Sequence, residues 1–309
     1  MSHPKPEPKS DVGPIGGQAL LEGVMMRRGE CWGAAVRRPD GSIATTQHQL
    51  PAGLGKWRRI PLVRGVLALG ETTGLGTKAM VWAARERAAD GADPEEAFSK
   101  TGLALSTIVA LVLAIGIFGV LPAAVIKMLG IHGRLLFSLA EGALRLAILL
   151  AYSALLAASP QVRRVFGYHG AEHMTIHAFE HSVALEPATI RAFDRRHPRC
   201  GTSFLLVVVA VTVLAHAAVG NPSWPLLVAS RILLLPLVAG LAFEAIRFAS
   251  RHDTTWYGRI LMAPGLLMQG LTTREPDDDQ IVVAIAALKA TLEVSPAPVK
   301  APTGAVAAA

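Results

Sequence analysis

Between Lys100 and Lys127 the chain carries no charged residue, and the stretch 102–126 is apolar almost throughout. A helix rising ~1.5 Å per residue over that length crosses a hydrocarbon core of ~30 Å. Three further runs follow. Residues 135–159 are apolar apart from Glu141 and Arg145, 202–220 are Val-rich and uncharged, and 223–246 hold Arg231 and Glu244. The turn Gly220-Asn221-Pro222-Ser223 separates the last two. The composition fits several spans: 51% hydrophobic, 17% charged, mean hydropathy +0.41. With aromatics at only 6%, the apolar content is Ala, Leu, Val and Ile. The expected fold is therefore an all-α integral membrane helical bundle with about four transmembrane helices and amphipathic cytoplasmic segments.

Orientation follows from the basic residues. Lys56-Trp57-Arg58-Arg59, Arg163-Arg164 and Arg195-Arg196 lie outside the apolar runs, whereas 127–134 and 220–224 carry little charge. The positive-inside rule then puts both termini and the 160–201 segment in the cytoplasm of a multi-pass inner-membrane protein. Read this way, the net charge of +7 is a topology signal, and no nucleic-acid partner is expected; the partner is the lipid bilayer. Two cysteines, Cys31 and Cys200, form no disulfide framework and fit a reducing compartment. Residues 1–12, rich in Pro and Lys, read as a disordered N-terminus without a signal peptide. Residues 294–309 read as a disordered Pro/Ala tail, which leaves 13–293 as one membrane-embedded domain.

Shorter segments carry weaker signals. Residues 61–87 read as an interfacial or bundle-packed helix, because Arg64, Glu71 and Lys78 interrupt the apolar positions. Residues 260–271 read as lying at the membrane surface, with Pro264-Gly265 breaking any helix. Gly41-Ser42 marks a short hairpin. Gly16 to Arg27 reads as a Gly-rich turn followed by an apolar segment, without the spacing of a phosphate loop.

The chemistry concentrates at His169-Gly-Ala-Glu172-His173. On a helix over 169–181, residues four apart share a face, so His169, His173 and His177 form one stripe with Glu172 and Glu180 beside it. Two imidazoles one turn apart can hold one divalent metal, zinc above all. A neighbouring carboxylate can then act as base, the inverted order of a zincin motif. A polar surface helix is the alternative reading. His169 and His177 lie ~12 Å apart along the axis, too far to share an ion. One site would use His169 and His173 with a distant ligand, while His173 and His177 would serve a second arrangement. The distant ligand is expected from His197 or Cys200, with Glu22 and Glu244 as further candidates. Cys200 also reads as a nucleophile, or as a small residue at a helix entry capped by Thr202 or Ser203. Within the spans, Glu141 and Arg145 are one turn apart and Arg231 lies at a matching depth. A cross-helix charge network follows, since an unpaired charge there costs at least ~2.5 kcal/mol.

Four blocks in this order resemble the YqhQ-like family of bacterial membrane proteins: Gly16 to Arg27, Tyr168 to His173, Arg199 to Phe204, and Pro264-Gly265 with Leu271 to Pro276. The resemblance covers roughly residues 13–293. It implies a multi-span membrane protein with a metal site, in a family commonly labelled as metal-dependent enzymes, and it supplies no reaction. One departure is Met174, where the family motif carries Lys after the second histidine. Together the residues and the resemblance predict a metal-dependent, hydrolytic membrane enzyme. In it His169 and His173 hold the ion and Glu172 takes the proton. The rival reading is a non-enzymatic metal sensor, transporter component or assembly factor.

Overall fold

A computed structural model describes residues 15–50, 57, 59–88, 99–252 and 254–294. Apart from Val294, the expected disordered ends fall outside the described residues, as do Lys56 and Arg58 of the basic cluster. The structure is mostly helical. Its first element is a four-stranded antiparallel meander: β1 (Ile15–Leu20), β2 (Gly23–Arg28), β3 (Cys31–Arg37) and β4 (Ile43–Gln49), in that order across the sheet.

This small sheet stands beside the expected helical bundle. Gly16 to Arg27 is a strand pair joined at Leu21-Glu22, with Glu22 in the left-handed region at φ 55. The Gly41-Ser42 hairpin is present, joining β3 to β4. The strands escape a sequence reading because both faces are covered, so β2 and β3 run continuously apolar instead of alternating. Val24, Met26 and Ala35 face the helices α5 (Pro160–Glu180) and α11 (Asp278–Glu293). Met25, Trp32, Ala34 and Val36 face the opposite way, against Leu75, Ala79 and Ala83 of α1 (Val63–Glu86). Thus 61–87 holds one 24-residue helix whose second half packs on the sheet, while its first half packs at Gly65 against Gly240 and Phe243. The start of α11 is fixed by a capping box between Asp277 and Gln280.

Three helical stretches are long and apolar enough to cross a membrane. The first is Thr101–Met128, in which α2 (Lys100–Ala114) passes through a π-helical turn (Ile115–Val120) into α3 (Leu121–Met128). The others are α4 (Arg134–Ala158) and α7 (Thr202–Val219). The expected fourth span is a pair, α8 (Trp224–Leu233) and α9 (Leu235–Arg251), bent by 44° at Leu234, with Pro236 in the first turn of α9. A four-residue helix α6 (Pro187–Ile190) follows α5.

The 260–271 segment is also corrected. It belongs to a continuous helix, α10 (Trp256–Thr272), with Pro264 inside it. Tertiary packing outweighs the lost backbone bond: α10 lies against α7 and α9, and a Cβ on Gly265 would sit 2.1 Å from the Ser203 hydroxyl. The glycine that reads as a breaker is what lets two helices touch.

Inside the spans the charge network has the expected partners. Glu141 accepts from Arg145 at 2.5 Å and from Arg231 at 2.7 Å, and His216 lies 3.3 Å from the same carboxylate. All four side chains are buried.

Candidate metal centre

The helix α5 begins where α4 ends, with Ser159 extended and Pro160 in the first turn. From Gly167 to Ile176 every residue except His169 is buried. This polar stretch lies inside because β1 and β2, α11 and the 191–201 loop surround it. Its glycines permit that density. A Cβ on Gly170 would lie 2.1 Å from the Arg274 carbonyl, and one on Gly167 would strike the Gln280 side chain.

His169, His173 and Cys200 place one ligand atom each within 4.8 Å of one another. Backbone carbonyls settle which nitrogen of each histidine is free. The Nδ1–H of His169 donates to the Thr272 carbonyl at 2.8 Å, and that of His173 donates to the Arg195 carbonyl at 2.6 Å. A carbonyl only accepts, so both rings carry their proton on Nδ1 and keep the Nε2 lone pair. The Nε2 of His169 is 3.3 Å from Cys200 Sγ, which also meets the Thr202 hydroxyl at 3.2 Å. Burial pushes the His173 imidazole well below its usual range, so it stays neutral. Burial also raises the Cys200 thiol, against the lowering effect of Thr202. A raised thiol is a poor free nucleophile, which disfavours that reading of Cys200. The capping reading is not met either, because the N-cap of α7 is Gly201 and no side chain caps it.

Glu172 stands beside this triad and lines the same cleft, a cavity of about 640 Å³ bordered by β1, α1 and the 197–201 turn. One face of its carboxylate accepts the Gly17 backbone N–H, while Oε2 is buried with no hydrogen-bond partner. Burial raises the carboxyl to about 8; His169 and the Gly17 bond pull it down, and Cys200 adds to the rise.

The remaining candidates fall elsewhere. His177, Glu180 and His197 form a second group with ligand atoms inside 4.8 Å, next to the first, the His173 and His197 rings being 5.7 Å apart. Two of its three donors are committed. His177 Nε2–H donates to the Arg196 carbonyl and keeps its Nδ1 lone pair, whereas Glu180 pairs with Arg199. His197 Nδ1 accepts the Arg199 backbone N–H, so its ring proton is on Nε2, 3.6 Å from Glu180. That nitrogen has no lone pair for a metal. Burial holds both histidines neutral, near 4. Glu22 is tied by Arg164 and by the Tyr168 hydroxyl at 3.2 Å. Glu244 is held by Arg64 of α1 and is absent from the triad.

Sequence reasoning missed the parts that orient the triad. Gln269 is fully buried and clamps the His197 backbone from both sides, accepting its N–H at 2.8 Å and donating to its carbonyl at 2.9 Å. This holds the turn that presents Cys200. A lone amide in the apolar helix α10 was the available signal.

A family model described as "Protein of unknown function (DUF1385)" matches residues 60–294. The chain belongs to the DUF1385 family. The triad, Glu172 and Gln269 all lie within the DUF1385 match, whereas the four-stranded sheet precedes it. The chain is also similar to "Uncharacterized protein YqhQ" of Bacillus subtilis (strain 168), with 32% identity over 291 residues, 87% of this chain and 89% of the relative. No solved structure matches.

Proposed function

We propose that the chain is an inner-membrane metalloprotein with hydrolytic activity, in which His169, His173 and Cys200 hold a divalent ion, zinc. The observation that carries this reading is the pair of Nδ1–H bonds to the Thr272 and Arg195 carbonyls. They turn two neutral imidazole Nε2 atoms into ligands next to a thiol. Such carbonyl partners are what metal-ligating histidines use to fix their tautomer. Two nitrogens and one sulfur suit zinc, and three protein ligands with one position left open are the pattern of catalytic sites. The ion would supply Lewis-acid polarisation of a bound substrate.

Glu172 is the proton-carrying group. It lines the cleft, its Oε2 has no hydrogen-bond partner, and burial raises its carboxyl, as suits a group that takes up a proton. Gly17 holds the other face of the carboxylate. The site lies at the cytoplasmic end of the second span and both termini are cytoplasmic, because the connections 129–133 and 220–223 are short and poor in charge.

A second reading, a metal sensor or assembly factor, is favoured by the buried Glu172 carboxylate lining the same cleft as His173 and Cys200. There Glu172 would be a fourth ligand. Purified Glu172→Gln protein separates the two. Full metal content with loss of complementation of a deletion strain supports the enzyme, and lost metal supports the sensor.

A further inference from the structure

The intramembrane charge network has a side the metal reading does not use. Arg145 and Arg231 face one carboxylate, Glu141, so two cations and one anion leave one positive charge in excess, counting His216 as neutral. Arg231 is fully buried, and its Nε has no hydrogen-bond partner. An uncompensated charge at that depth is costly and is by default functional. Directly beside it lies a cavity of about 500 Å³ bordered by Arg145, Arg231, His216, Thr212 and Tyr152 and otherwise mostly by apolar side chains such as Leu205 and Phe118. Among the described residues no carboxylate lines it. The π-helical turn contributes to the same wall. There the Phe118 carbonyl accepts from Arg145 Nε at 2.5 Å, and Gly119 keeps the wall free of a side chain. Local π-helical turns of this kind are frequent at functional sites.

We infer that this cavity binds a single-chain amphiphile with an anionic headgroup, a carboxylate or phosphate monoester, its tail among the apolar residues and its charge against Arg231 and Arg145. The volume falls in the range of ligand pockets, about 300–1,000 Å³. With Arg231 Nη1 and Nη2 engaged by Ser230 and Glu141, its unpartnered Nε–H is the donor for either headgroup. The one missing negative charge selects an anion over a neutral lipid.

The test uses the full chain in phosphatidylcholine nanodiscs, with bound molecules counted by native mass spectrometry. Laurate, dodecyl phosphate, dodecanol, acetate and inorganic phosphate serve as probes. Laurate or dodecyl phosphate should bind to one equivalent, at least tenfold more tightly than dodecanol, and whichever binds identifies the headgroup. Acetate and inorganic phosphate should not bind. Leu205→Trp should fill the cavity and abolish binding with an unchanged melting temperature. Arg231→Gln should reduce the anionic probe to the level of dodecanol; if that variant does not fold, Leu205→Trp decides. His173→Ala should bind the anionic probe like wild type, which separates this site from the metal centre. Equal binding of dodecanol, binding of the short anions alone, or undiminished binding to a folded Leu205→Trp protein overturns the inference.

Discussion

The backbone N–H of Gly17 caps the carboxylate of Glu172, and a Cβ on Gly17 would lie 2.8 Å from Oε1 of that same carboxylate. The sheet therefore touches the candidate metal centre at one glycine of an edge strand. In the two-residue hairpin β1–β2, Leu20 opposes Gly23, so Gly16, Gln18 and Leu20 bond to β2 while Gly17 turns its N–H outward.

Gly17→Ala should consequently destabilise the protein by about 1–3 kcal/mol, because the added methyl also meets the Met25 backbone carbonyl at 2.6 Å and the Glu172 side chain is buried. Thermal denaturation in detergent reads this. An unchanged midpoint would show that the β1–α5 contact is looser than described.

Glu141→Gln should lower stability by about 1–3 kcal/mol, since it strips the shared anion from Arg145 and Arg231 and leaves both guanidiniums buried. The measurement is the unfolding midpoint in nanodiscs. A midpoint equal to wild type would mean the network is not the bundle's electrostatic centre.

Glu22 gives the acid limb of the stability curve. Burial alone would raise its carboxyl, but hydrogen bonds and charge from Arg164, with help from Tyr168, outweigh that and hold it below its ordinary value of 4.5. A lowered folded value means the unfolded state binds more protons. The contribution is thus fully present above pH 4.5 and is lost as pH falls through the folded value. Arg164→Gln should weaken the protein at pH 7 while leaving its stability below that window nearly unchanged. Equal losses at both pH values would contradict the pairing.

Topology is checked with reporter fusions. Those after Gly130 and Asn221 should read outside the membrane, and one after Glu186 inside. An external reading at Glu186 would invert the orientation and move the cleft to the other face.

The spans were legible because length without charge has few alternatives in a bilayer. The bend at Leu234 and the unbroken course of α10 were not, since both depend on which neighbour a proline or glycine meets. The sheet was hidden for a related reason. Gly16, Gly17, Gly23 and Gly33 look like turn residues, yet they sit in strands, and at Gly17, Gly23 and Gly33 a side chain would collide with Glu172, Ala35 or Thr291. At the site, the spacing of His169 and His173 was readable, and Cys200 stood among four candidates for the third ligand. Glu244 was the misleading one, because nothing local reveals that Arg64, 180 residues away, captures it. The carbonyls of Thr272 and Arg195 leave no trace in a sequence at all.

The most direct measurement is cobalt(II) and zinc content of the purified protein with its ligand variants. Wild type should bind about one equivalent, with a thiolate-to-cobalt charge-transfer band in the near ultraviolet. His169→Ala and His173→Ala should lose the metal, Cys200→Ser should lose the band, and His177→Ala should keep both. Metal-free wild type, or metal that survives His173→Ala and Cys200→Ser unchanged, would contradict the account.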